Sequence, residues 1–382
     1  MNSLEMLDRL VAFDTVFDRP NAGLIDFVAA WFRAHGIEPK IMPGKQAGFV
    51  NLWATVGDCA PEGGVCLSGH TDVVPVDGQP WSSDPFRLVE KDGRLFGRGT
   101  CDMKGFCASA LAMLPEMIAA PLKRPIHFCL THTEENGCAG ALELVAKIGA
   151  DLPRPDWAIV GEPTSLRVVS GHKGMRRLNT VVEGQEAHSA RTDIGVSAVM
   201  TAGRLIARLA EMAEAQKRPG LLQQAFVPPY TTIHVGMVQG GLAPSIIARH
   251  CAFCWDIRTL PGTKSQKIVD RFTHWVEDVI LPEMRAVGPR SSIRTTTDFD
   301  IPPLAVDTNS SAERLVRALT GDREVRCVGY ATEAGLFQGQ GIDTVLCGPG
   351  SIEQAHKPDE FLPLSDLGQC DLLLSRLIRQ MC

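Results

Sequence analysis

The chain has 382 residues, 45% of them hydrophobic, and a formal net charge of −6. That length can bury more than one core, so two domains are the expectation. The acidic balance, with no Lys/Arg cluster interleaved with aromatics, argues against a nucleic-acid partner, and no uncharged apolar stretch approaches the ~20 residues that span a bilayer.

At the start, Leu4, Leu7, Leu10 and Val11 alternate with Glu5, Asp8 and Arg9, the spacing of an amphipathic helix rather than an export signal. Twelve cysteines are scattered, many of them in apolar segments. A chain this long needs no disulfide staples, so a reducing, cytoplasmic setting is expected. From there β-rich runs alternate with helical patterns: strand 64–68, helix 104–119, strand 126–130, helix 138–148, strand 157–160. This rhythm predicts an α/β fold, a doubly wound and mostly parallel sheet with helices on both faces.

Near residue 174 the order changes to strand 176–182, helix 196–214, strands 231–238 and 250–258, helix 265–285 and strand 291–297. That is the β-α-β-β-α-β order of a ferredoxin-like α+β unit. The first rhythm resumes with strand 344–347 and a helix from Ser365, so the middle block reads as an insertion at 175–291 into a domain formed by 1–174 and 292–382. Cys251 and Cys254 form a CxxC without the second pair a structural zinc site needs, and read as strand cysteines.

In open α/β sheets ligands bind beyond the carboxyl ends of the strands. Here 65–68 leads to His70 and Asp72, 126–130 to Glu134 and Glu135, 157–160 to Glu162, and 344–347 precedes a loop holding His356. Asp102 stands before the 104–119 helix, where it would equally serve as an N-cap. Histidine nitrogens and carboxylate oxygens without thiolate suit a catalytic zinc, because they leave positions open for water and substrate. Two histidines and three carboxylates serve two ions if one carboxylate bridges, and metals about 3.5–4 Å apart can act on one water and one carbonyl. Glu134 and Glu135, as sequence neighbours past a strand, need different roles, one on metal and one in proton transfer. Asp72 is spaced to orient the His70 imidazole by accepting its other ring N–H.

The segments 68–75, 97–105, 134–135, 161–164 and 355–360 together resemble the M20 metallopeptidase family across essentially the whole chain. Within the family the resemblance is greatest to the acetylornithine deacetylase and succinyl-diaminopimelate desuccinylase group, on Thr100-Cys101, Gly171-His172-Lys173-Gly174 and Gly348-Pro349-Gly350-Ser351. The resemblance implies one zinc on His70, Asp102 and Glu162 and a second on Asp102, Glu135 and His356, with Asp102 bridging and cobalt or manganese as substitutes. It makes Glu134 the general base that takes a proton from the attacking water and passes it to the leaving amine. It also implies a homodimer through the inserted domain, with His188 reaching the partner's site and Arg258 holding the substrate carboxylate.

The expected reaction is deacylation of an N-acyl amino acid, N-acetylornithine first. The alternatives are a desuccinylase, a dipeptide hydrolase and a non-catalytic metal-containing binder. Thr133, Asn136, Ser245, Pro244 and Ala331 depart from the family pattern. Ser245, read as substrate-binding, replaces an asparagine amide that both donates and accepts. Thr332-Glu333-Ala334-Gly335 matches a further family motif to which no step is assigned.

Overall fold

A computed structural model describes residues 1–57 and 60–382. They form two compact units: Met1–Gly171 with Val306–Arg326 and Thr332–Cys382, and His172–Ala305 with Cys327–Ala331. Among the described residues no helix is long and apolar enough to cross a membrane.

The first unit is built on a six-stranded sheet in the order Lys40–Pro43, Val50–Val56, Ile126–Thr131, Val65–His70, Trp157–Val160, Asp343–Leu346. The last four strands run parallel, and the first two form an antiparallel edge. Val65–His70 and Ile126–Thr131 are buried along their whole length, as strands covered on both faces must be. Val65, Leu67, Ile126 and Phe128 pack with the apolar stripes of Ser3–Val11, Ala22–Ala34, Lys104–Ala112 and Leu364–Met381. From Val65–His70 the chain moves to the strand on one side and then crosses to Trp157–Val160 on the other, the switch beside which such sheets bind ligands.

The second unit is a four-stranded antiparallel sheet in the order Thr232–Gly240, His250–Thr259, Gly174–Glu183, Ser292–Ile301. This is the split β-α-β arrangement of the ferredoxin-like fold. Buried and half-buried residues alternate strictly along Gly174–Glu183, and Leu178, Val182, Trp255 and Ile257 pack with Leu205, Leu209 and Phe272 from the helical layer. The compact unit runs to Ala305, past residue 291, because Ser292–Ile301 is an edge strand of this sheet.

Two expected helices are interrupted. Residues 104–119 divide into Lys104–Ala112 and Leu114–Ala119, and 265–285 contains a widened turn at Val276–Ile280 before Leu281–Val287. Pro115 and Pro282 stand at the start of the later segments, where a residue without an amide N–H breaks the regular ladder.

Candidate active site

His70 ends its strand and is 1% exposed. Its Nε2 lies 3.1 Å from Asp102 Oδ1, while Nδ1 lies 2.9 Å from the backbone carbonyl oxygen of Asp72. The Asp72 carboxylate is farther, at 3.8 Å, so the ring is oriented by the main chain of Asp72 and not by its side chain. That carboxylate instead accepts the N–H groups of Glu134 (3.0 Å) and Glu135 (3.1 Å), fixing the turn after Ile126–Thr131. Asp102 is not a helix cap, since the following helix begins at Lys104 with Met103 at the cap.

His356 Nε2 lies 3.0 Å from Glu135 Oε2 and 3.5 Å from Asp102 Oδ2. One ligand atom each from His70, Asp102 and Glu162 lie within 4.8 Å of one another, and the same holds for Asp102, Glu135 and His356. Five residues therefore form two donor sets that share Asp102. The fit to metal rests on charge as well as distance. Burial and the neighbouring carboxylates push Glu134 and Glu162 well above the ordinary carboxylate range, and burial followed by Asp102 brings Glu135 up to about 7. Hydrogen bonds to Asp102 and Glu135 draw His356 up to about 10. A bound dication reverses this repulsion and holds the carboxylates ionised.

Glu134, the remaining acid, has one side-chain hydrogen-bond partner among the described residues, the thiol of Cys138 at 3.4 Å from Oε1. Cys138 takes a left-handed backbone (φ 53) where the helix Ala139–Val145 begins. The carboxyl is thus oriented by one weak donor and otherwise left unengaged.

Glu333, to which sequence gave no step, is fully buried beside the strand ends and accepts from Ser68 Oγ at 2.5 Å and Thr131 Oγ1 at 2.8 Å. It braces the strands carrying His70 and the Glu134 turn. Sequence reasoning also passed over Arg98 and Glu360, a fully buried ion pair at 2.8 Å. Both stand inside the family-like segments 97–105 and 355–360, but nothing local marks either charge as buried. Thr133 has a left-handed backbone (φ 57) and its hydroxyl lies 2.8 Å from His132 Nδ1, while Asn136 is exposed.

The other expected residues belong to the second unit. His188 is exposed and bridges to Ile246, with Nδ1 accepting from the Ala190 N–H at 3.1 Å. Ser245 is exposed next to it in space, its carbonyl accepting from the Ser189 N–H at 2.9 Å. Arg258 lies on His250–Thr259, half-buried, with Nε 3.3 Å from Asp256 Oδ1. Cys251 and Cys254 on the same strand are free thiols.

Residues 66–380 match the profile of peptidase family M20/M25/M40. A curated acetylornithine deacetylase of Photorhabdus laumondii is 36% identical over 372 residues, covering 97% of this chain and 93% of that protein. Another, of Myxococcus xanthus, is 36% identical over 382 residues, covering 98% and 96%. Among solved structures, an M20 family metallo-carboxypeptidase of Sulfolobus solfataricus superposes with a TM-score of 0.79 at 16% identity, over 100% of this chain and 99% of that one. The Bacillus subtilis YXEP protein, a dinuclear metal binding peptidase, gives a TM-score of 0.65 at 16% identity, over 98% and 96%.

Proposed function

From the premise that this chain belongs to peptidase family M20/M25/M40 and is a metal-dependent amidohydrolase acting on a small molecule, we propose that it removes the acyl group from an N-acyl amino acid, N-acetylornithine first, with two zinc ions. The observation that carries the reading is the pair of donor sets sharing Asp102, with a carboxyl, Glu134, beside them and outside both. His70, Asp102 and Glu162 would hold one ion and Asp102, Glu135 and His356 the other, with cobalt or manganese as substitutes. The bound ions supply Lewis acidity toward the amide carbonyl and acidify water.

Glu134 is the general base. It accepts a proton from the water that attacks the carbonyl carbon and delivers that proton to the nitrogen of the departing amine, so one group serves both halves of the hydrolysis. Asp72 holds the Glu134 and Glu135 amides and thereby sets the angle at which both side chains leave the turn.

The substrate assignment draws on the curated relatives. Arg258, a planar bidentate donor, is read as the partner of the substrate carboxylate, and Ser245 as a second polar contact. A homodimer is part of the same reading, with His188 donating to the carbonyl oxygen across the subunit boundary. It is supported by the apolar surface of the second unit, where Met200, Met237, Val238 and Leu242 are 73%, 73%, 60% and 88% exposed on and beside the edge strand Thr232–Gly240. An open edge with an apolar border is a pairing surface unless covered.

The test is amine release by zinc-loaded protein from a panel of N-acetyl amino acids, N-succinyl-diaminopimelate and dipeptides. Preference for N-acetylornithine is expected. Preference for another N-acyl amino acid keeps the chemistry and moves the specificity to the pocket altered at Ser245, and preference for dipeptides overturns the deacylase reading.

A further inference from the structure

Asp102 and His356 come from distant loops, and a buried guanidinium lies between those loops. Arg98, 1% exposed, donates to Glu360 Oε2 at 2.8 Å, to the Lys357 carbonyl at 3.2 Å, to Gln79 Oε1 at 2.5 Å and to the Pro75 carbonyl at 3.4 Å. Glu360, equally buried, accepts the N–H groups of Gly99 (3.1 Å), Cys101 (2.9 Å) and Asp102 (3.0 Å). Gln79 closes the circuit, its Nε2 donating to the His356 carbonyl at 3.0 Å. The Trp81 ring covers the guanidinium at 4.9 Å and its Nε1 donates to Gln79 Oε1 at 3.1 Å.

A buried ion pair is a poor source of stability, because desolvation of both charges offsets their attraction and an apolar pair of the same volume serves as well. What this pair supplies, and an apolar pair does not, is a fixed fork of donors and acceptors bonded to the main chain on both sides of the metal cluster. His356 needs such a hold. Its side chain is 54% exposed and its backbone is left-handed (φ 63), so neither packing nor local preference fixes the imidazole.

We propose that Arg98 is a positioning residue for the second metal site: through Glu360 and Gln79 it ties the His356 loop to the Asp102 loop, and the Asp102, Glu135 and His356 set binds its ion tightly only while that tie is intact. The inference rests on the two-metal reading above. It assigns to Arg98 and Gln79, neither of which ligates metal, control over one site of the two.

The experiment titrates zinc into the metal-free full-length chain against a chromophoric chelator, for wild type, Arg98→Met, Gln79→Ala and His356→Ala, the last to mark which binding event belongs to His356. Wild type is expected to take up two ions per chain. In Arg98→Met and Gln79→Ala the event lost in His356→Ala weakens by about 10–100-fold, the range for partners that orient ligands, while the other stays within about threefold. Gln79→Ala leaves the buried pair intact and answers the question if Arg98→Met does not fold. Two wild-type ions with unchanged affinities in Gln79→Ala, or equal losses at both sites, overturn the tie alone. A single wild-type ion overturns the two-metal reading and the tie with it.

Discussion

A methyl group at Gly161 tests how tightly the sheet holds its metal ligands. A Cβ there would lie 2.0 Å from Cγ and Cδ1 of Phe106, where ordinary contact begins at 3.4 Å, so ring and strand must separate by about 1.4 Å. Neither can retreat easily. Phe106 is 2% exposed, and beside Gly161 the main chain of Gly348, which follows the neighbouring strand, packs so closely that a Cβ on Gly348 would lie 2.0 Å from the Gly161 carbonyl oxygen. Overpacking ordinarily costs about 1–3 kcal/mol, and a site between a buried ring and a tightly packed strand belongs at the upper end, about 3 kcal/mol. The displacement also reaches the metal site, because Glu162 follows Gly161 and Phe106 sits in the first turn of the helix that begins two residues after Asp102. Ligand distances in a well-formed metal site agree with their ordinary values to within ~0.2 Å, far less than this displacement. Gly161→Ala is therefore expected to lower urea stability by about 3 kcal/mol and to weaken zinc held by His70, Asp102 and Glu162 about 100-fold in a chelator competition. Phe106→Ala in the same chain should recover part of both losses, a favourable coupling in a double-mutant cycle. A Gly161→Ala protein within ~0.5 kcal/mol and threefold of wild type would refute the packing argument.

Removing metal with a chelator should abolish turnover and lower the melting temperature, since the crowded carboxylates lose their countercharge, and zinc should restore both; a chelated protein that melts at the same temperature would count against a metal in that cluster. His172 tests a buried titratable group of the second unit. Burial holds its pKa down to about 4, below the ordinary 6.5, so on acidification the unfolded chain takes the proton first. The contribution of the neutral ring is complete above about pH 6.5 and is lost as pH falls toward 4, at most about 3 kcal/mol. His172→Asn should therefore show a shallower fall in urea stability over that window than wild type, and parallel curves would contradict it.

Much of this was legible in the sequence because each of four ligand-bearing loops follows an apolar strand run, and strand ends in such sheets converge by topology. The parallel sheet and the split β-α-β order followed from hydrophobic rhythm alone. What was not legible depends on contacts that periodicity does not encode. Arg98 and Glu360 are 262 positions apart, and only the folded loops bury both charges against one another. Asp72 was expected to orient His70 through its carboxylate, but two amides 62 and 63 positions away compete for that carboxylate and hold it, leaving the backbone carbonyl for the ring. Pro115 and Pro282 sit inside runs whose apolar spacing continues across them, so periodicity reads one helix where the backbone breaks.

The most direct test measures zinc content and amine release from N-acetylornithine on the same preparations of wild type and Glu134→Gln. If Glu134 is the base and not a ligand, both proteins hold two ions per chain while the variant turns over about 10²–10⁴-fold more slowly. A variant that keeps turnover within tenfold of wild type, or that loses zinc along with activity, would contradict the account.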